Sequence, residues 1–347
     1  MKKANTLGGL YFLVHFLVEI TSFYVVTSYT QSPYVWIMMF IYDFAAFVPQ
    51  GVFGFLRDNG IRINFAFVGT ILKTSALVLM WADCNVFLIV TVVAIGNCLV
   101  HIHGAELTLR TSPGRITPAA VFVAGGSFGV ITGKLLAANQ ITVPWVIGLN
   151  LLALLPILLA ERLKAGDGEE NLTRYRFANN RFNAAVIIAL AVFVVAVRAY
   201  MGYGIPNSWN KTNAQAIMLF CCMGVGKAMG GVLVDTIGIR LTSLISTLGA
   251  LPLLLFGAEM MSVSLIGIAF FSMTMAITLA LIVSCLPKSP GVAFGFTTVG
   301  LFLGTVPVFF FRIHSFVINC IMISTLSVLC VIVLCMICAK RTAVKEE

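Results

Sequence analysis

The chain has 347 residues, 60% hydrophobic and only 10% charged, with a mean hydropathy of +1.02. That is too little charge to cover a water-soluble domain, which carries roughly 25%. The net charge of +9 does not point to nucleic acid, because Lys and Arg fall mainly in alternate short loops, the distribution that sets membrane topology.

Apolar runs recur at about the ~20 residues that cross a bilayer. In lipid a backbone must satisfy its own hydrogen bonds, so runs rich in Leu, Ile, Val and Phe mean helices. The alternating ten-residue segments of a membrane β-barrel are absent. The predicted class is an all-α integral membrane protein with about twelve spans, near 8–29, 33–56, 62–82, 85–109, 116–138, 142–161, 184–204, 213–235, 240–260, 263–286, 290–311 and 315–339.

Span one follows Lys2 and Lys3 and carries His15 and Glu19. These interruptions, and the lack of a small-residue cleavage site, make it a retained span rather than a signal peptide. The two residues are four apart and share a helix face. An ionisable group inside a span costs roughly 2.5–3.5 kcal/mol to insert, so it is a functional candidate by default. Glu19 reads either as a proton-coupling carboxylate or as one member of a structural pair with His15. Asp43 of span two faces a cavity or a neighbouring helix. Lys73 of span three is expected at the periphery.

Span four carries His101, His103, Glu106 and Arg110. His101 suits binding or proton transfer, since imidazole titrates near working pH. His103, two residues on, points elsewhere, so the two do not make a metal site by themselves. Glu106 and Arg110, at i and i+4, form a helix pair or a latch with Asp58. Gly125, Gly129 and Gly133 of span five form a ridge that lets another helix come close, and Lys134 follows it.

The stretch from Glu161 to Arg181, with Asp167, Glu169, Glu170, Arg174 and Arg176, is the one long polar linker. It divides the chain into 1–161, a linker 162–183, and 184–347. Span seven then carries Arg198, with Tyr200, Tyr203, Asn207 and Trp209 near its outer end as a gate or an interfacial belt. Span eight carries Lys227 within a second glycine ridge of Gly224, Gly226, Gly230 and Gly231. Lys134, Arg198 and Lys227 together suit an anionic solute, with snorkelling to water as the competing explanation. Cys335 and Cys338, lacking a second pair or a nearby His, propose no metal, and no disulfide framework is expected.

Two loops repeat. Gly54, Asp58, Gly60 and Arg62 follow span two; Gly231, Asp235, Gly238 and Arg240 follow span eight. Six-helix units occurring twice are a common plan for transporters. These loops resemble the Gly-x-x-x-Asp-Arg/Lys-x-Gly-Arg/Lys signature of the major facilitator superfamily, with one residue fewer between Asp58 and Gly60 and Asn59 in place of a basic residue. Gly96, Asn97, His101, His103 and Gly104, then Gly125, Gly126, Gly129 and Gly133, are similar to helices four and five of the fosmidomycin-resistance exporters. The corner Leu286-Pro287 to Pro290-Gly291 and Gly295 is similar too. The Pro that follows His in that family is absent here, and Lys134 stands where its helix-five signature has Pro.

The resemblance implies two six-helix halves, with the Asp loops acting as latches. It also implies a secondary transporter working by alternating access, driven by a proton gradient and needing no cofactor. Proton-coupled export of a small molecule is the expected activity, and import of a small organic anion is the alternative. A passive channel or a membrane enzyme fits less well, and no nucleotide-binding loop is present. With the N-terminus inside, sixteen of the twenty-two Lys and Arg fall on the inner side, which places both termini and the linker in the cytoplasm. The expected setting is a monomer in the inner or plasma membrane.

Overall fold

The computed structural model describes residues 2–164, 182–311 and 315–338. Linker residues Asp167, Glu169, Glu170, Arg174, Arg176 and Arg181 lie outside the described residues, as do Arg312, Lys340, Arg341 and Lys345. Fourteen helices follow one another among the described residues: α1 (Lys2–Ser28), α2 (Val35–Phe47), α3 (Gln50–Asp58), α4 (Phe65–Trp81), α5 (Val86–Arg110), α6 (Thr117–Ala138), α7 (Val143–Leu152), α8 (Leu154–Lys164), α9 (Ala184–Gly204), α10 (Asn213–Ile237), α11 (Ile239–Phe256), α12 (Met261–Cys285), α13 (Pro290–Phe310) and α14 (Phe316–Ile337). Counting α2–α3 and α7–α8 as continuous, eleven are long and apolar enough to cross a membrane, and α4 is a shorter apolar helix. The twelve predicted spans and the all-α class agree with this.

Both interruptions trace to proline. Pro49 has no N–H for the Ala45 carbonyl and opens the turn between α2 and α3. Pro156 leaves the Leu152 carbonyl without its helical donor, and the chain breaks at Ala153 between α7 and α8.

Glycine sets the packing. On α6, a methyl at Gly125, Gly129 or Gly133 would overlap the Phe12, Phe16 or Ile20 carbonyl of α1. On α13, a methyl at Gly300 or Gly304 would meet the Val192 or Ala196 carbonyl of α9. Span five lies on span one as span eleven lies on span seven, a close backbone approach that only glycine permits. The two sets of six spans meet along two seams. In one, Gly51 and Gly54 of α3 touch Gly295 and Gly291 of α13; in the other, Gly224 and Gly231 of α10 face Phe128 and Ala120 of α6.

Candidate functional site

Three polar constellations occupy the interior and one face of the bundle. The first is centred on Glu19, 4% exposed. Its Oε1 lies 3.6 Å from His15 Nε2 and 3.3 Å from His101 Nε2, and accepts from Asn97 Nδ2 at 3.0 Å. The glycine ridge makes this possible: a side chain at Gly126 would strike the His15 ring, and one at Gly129 would strike Glu19 Cβ.

The proton positions follow from the partners. His15 Nδ1 lies 2.9 Å from the Phe122 carbonyl, and His101 Nδ1 lies 2.9 Å from the Asn97 carbonyl. A carbonyl only accepts, so each ring carries its hydrogen on Nδ1 and, when neutral, turns a bare Nε2 toward Glu19. Lys73, which only donates, hydrogen-bonds Asn97 Oδ1 at 2.9 Å and so turns the Asn97 amide nitrogen to Glu19. With the carboxylate ionised and both rings neutral, three lone-pair atoms face one another among buried side chains. One added proton converts a facing pair into a donor and an acceptor. Glu19 Oε2, also buried, has no hydrogen-bond partner.

The ligand atoms of His15, Glu19 and His101 lie within 4.8 Å of one another, a gathering that could also hold a metal ion. The Lys73 ammonium, two hydrogen bonds from Glu19 through Asn97, opposes a dication there.

Lys73 corrects an expectation. It is fully buried at 0% exposure, donating to Ser22 of α1 as well as to Asn97 of α5, and is not peripheral. The reason lies in the crossing of α4 and α5, where Gly69 meets the Gly96 backbone and the Lys73 stem runs over Gly96. Asn97 and Tyr42, joined at 3.1 Å, complete the cluster and were not among the sequence candidates. An amide and a cation inside apolar spans were the available signals.

The second constellation is a pair of crossed helix caps, at the two loops expected to act as latches. Asp58, ending α3, accepts from the backbone N–H of Gly291 at 3.1 Å and Val292 at 2.8 Å, at the start of α13. Asp235, near the end of α10, accepts from the N–H of Ile116 at 2.9 Å and Thr117 at 2.9 Å, and from the Thr117 hydroxyl, at the start of α6. Each carboxylate therefore caps a helix of the other half, where orphan N–H groups and the helix dipole favour negative charge.

The surroundings of the two latches differ. Arg110 bonds Asp58 at 3.1 Å and Glu106 at 2.5 Å, and Arg57 bonds Glu106 at 2.8 Å. At Asp235 the nearby cation is Arg115, at 3.8 Å. Arg62 and Arg240, the basic residues of the repeated motif, are exposed on this face. Arg110 stands beside Asp58, and Arg115, unflagged by the motif, beside Asp235.

The third constellation is a set of cations. Lys227 donates from α10 to Ser127 Oγ of α6 at 2.9 Å. Lys134 lies over the rings of Phe23 at 5.7 Å and Phe220 at 5.1 Å. Arg198 stacks on Phe271 at 4.1 Å and donates to its backbone carbonyl. Each of the three is held by a group on a neighbouring helix. Asp43 reaches Thr305 of α13 and is separate from the Glu19 cluster. His103 also stands apart, 3.2 Å from Glu161 and stacked on Tyr11. At the end of α9, Trp209 is buried and Tyr203 exposed.

No family model matches the chain, and no curated protein matches it by sequence. Among solved structures it is similar to the crystal structure of the E. coli fucose:proton symporter FucP, with a TM-score of 0.68, 16% identity and 96% of each chain covered. At that identity the likeness speaks for architecture, and the architecture is the major facilitator fold: twelve spans in two six-helix halves.

Proposed function

We propose that this protein is a secondary active transporter that moves a small solute by alternating access, coupled to protons, as a monomer in the inner or plasma membrane. The crossed capping of Asp58 and Asp235 carries the reading. In a rocking carrier, the face bearing the latches opens only when both helix N-termini leave their carboxylates, so two local contacts hold one global state. In the present conformer that face is latched. The excess of Lys and Arg on the same face supports assigning it, with both termini, to the cytoplasm. The rigid bodies would be 1–161 and 184–347, joined by 162–183.

The Glu19–His15–His101 cluster is the proton site. Its facing acceptors need a proton to be mutually satisfied, and Glu19 lies on α1, in the interior that alternates between the two sides. Symport is the favoured coupling. The solved neighbour is a proton symporter, whereas export rests on a local resemblance that Lys134 interrupts. The major facilitator architecture, and the absence of a paired nucleophile and base among the constellations, support transport over catalysis.

The test is made in proteoliposomes with an imposed pH gradient. Wild-type protein shows proton movement that depends on added solute, and Asp58→Asn with Asp235→Asn changes its rate by shifting the carrier toward an inward-facing state. Unchanged rates in that double variant would count against the latch account.

A further inference from the structure

The interior charges do not balance. Within the spans and away from the latch face, the carboxylates are Glu19 and Asp43, whereas the cations are Lys73, Lys134, Arg198 and Lys227. Lys73 is tied into the Glu19 cluster. Among the described residues, no ion pair involves Lys134, Arg198 or Lys227.

Their partners are weak ones: a hydroxyl, aromatic faces and a backbone carbonyl. The Arg198 Nε, buried, has no partner at all. Removing a cation from water without a counter-charge is costly, and a ring face returns only about 0.5–2 kcal/mol.

Two of the cations sit in one seam, and Arg198 stands on α9 against α12. Ser127 and Lys134 are seven residues apart on α6, as are Phe220 and Lys227 on α10, so each pair shares a helix face, with its members about 10 Å apart along the axis. Lys227 meets Ser127 at one level, and Lys134 meets Phe220 and Phe23 at the next. Phe23 is one turn from Glu19 on α1, and Lys227 lies within electrostatic reach of both Glu19 and Arg198. All three cations are half-buried, unlike the sealed Lys73.

We infer that the transported solute is a small organic anion, whose negative charge is neutralised by Lys227 and Lys134 in the seam of α1, α6 and α10, with Arg198 of α9 within electrostatic reach of Lys227. This rests on the transport reading above and names its substrate class. A proton on the Glu19 cluster and a monoanion in the seam would cross together with no net charge moved, which removes the electrical cost of carrying either alone. The likeness to FucP does not supply this conclusion, because fucose is uncharged.

The test is thermal unfolding of the purified full-length protein with matched anionic and neutral probes: gluconate against sorbitol, galacturonate against galactose, benzoate against benzyl alcohol, and glycerol 3-phosphate against glycerol. At saturation, one or more anions should raise Tm by about 3 °C or more, while their neutral partners do not. Lys227→Gln and Arg198→Gln should remove the shift, and Lys227→Arg, which keeps the charge, should retain it. Equal stabilisation by a neutral partner would overturn the inference. So would an anion effect that survives neutralising all three cations, or no effect of any anion.

The spacing across the latch face, measured in the same protein preparation, separates the two levels of failure. If Asp58→Asn with Asp235→Asn still opens that face while no anion acts, only the substrate class is wrong. If the face does not open, the transport reading fails.

Discussion

The interiors of the two halves are built from the same helix contacts but from different chemistry. In the first half, Glu19, His15, His101, Asn97, Tyr42 and Lys73 form one connected network. At the corresponding depth of the second half, Ser246 and Thr274 share a hydrogen bond of 2.6 Å, and Arg198 stands against Phe271 without a carboxylate. The acidic residues described in the second half are Asp235, at the latch, and exposed Glu259. The first half thus sets a carboxylate between two imidazoles, whereas the second half carries positive charge with no carboxylate beside it among the described residues. The latches repeat the contrast, with a chain of Arg110, Glu106 and Arg57 behind Asp58 and Arg115 at 3.8 Å from Asp235.

The comparison can be broken at its strongest point first. Glu19→Gln keeps the shape and the Asn97 contact but removes the carboxylate, and should abolish solute-dependent proton movement in proteoliposomes. Persistent proton movement would move the proton site elsewhere, Asp43 being the other described carboxylate inside a span and away from the latch face. Glu106→Gln leaves Arg57 buried without its counter-ion and should destabilise the protein by about 3 kcal/mol, read from thermal unfolding; a neutral result would show that the ionic chain is ornamental.

Asp58→Asn should shift the carrier toward opening of the latch face by roughly tenfold, about 1.4 kcal/mol, from the loss of a charged cap and the Arg110 contact. Asp235→Asn should give a smaller shift, roughly fivefold, since its cation is farther away. Labelling of a cysteine introduced at the Asp58–Gly291 contact measures both, and equal shifts would erase the asymmetry. Ser246→Ala should cost about 1 kcal/mol and leave proton movement untouched. A coupling defect there would mean that the second half handles protons as well.

Much of this arrangement was legible in the residues. Spans and the duplicated Asp loop follow from hydropathy and repetition, because each is a local property of the chain, whereas the breaks at Pro49 and Pro156 fall within spans read as continuous. Glu19 with His15 was legible because four residues on a helix define a shared face. The pairing of His101 with that face, rather than with His103, was not, since it depends on how α5 rolls against α1. Lys73 misled for the same reason: its reach over Gly96 is created by a crossing between two helices, and nothing in span three alone encodes it. Arg110 and Arg115, rather than a residue of the repeated motif, supply the guanidiniums nearest Asp58 and Asp235, and both come from the end of α5 and the turn after it, a placement set by how the helices pack.

The most direct measurement of the central claim is the distance across the latch face. Spin labels at Asn59→Cys and Lys288→Cys, both exposed positions flanking the Asp58–Gly291 contact, would report it by pulsed electron resonance in protein whose native cysteines have been replaced. A single short distance in the otherwise unaltered protein, and a longer population that grows in Asp58→Asn and dominates when Asp235→Asn is added, is the result expected here. The same short distance in all three proteins would contradict the assignment of these carboxylates as the latches of an alternating-access cycle.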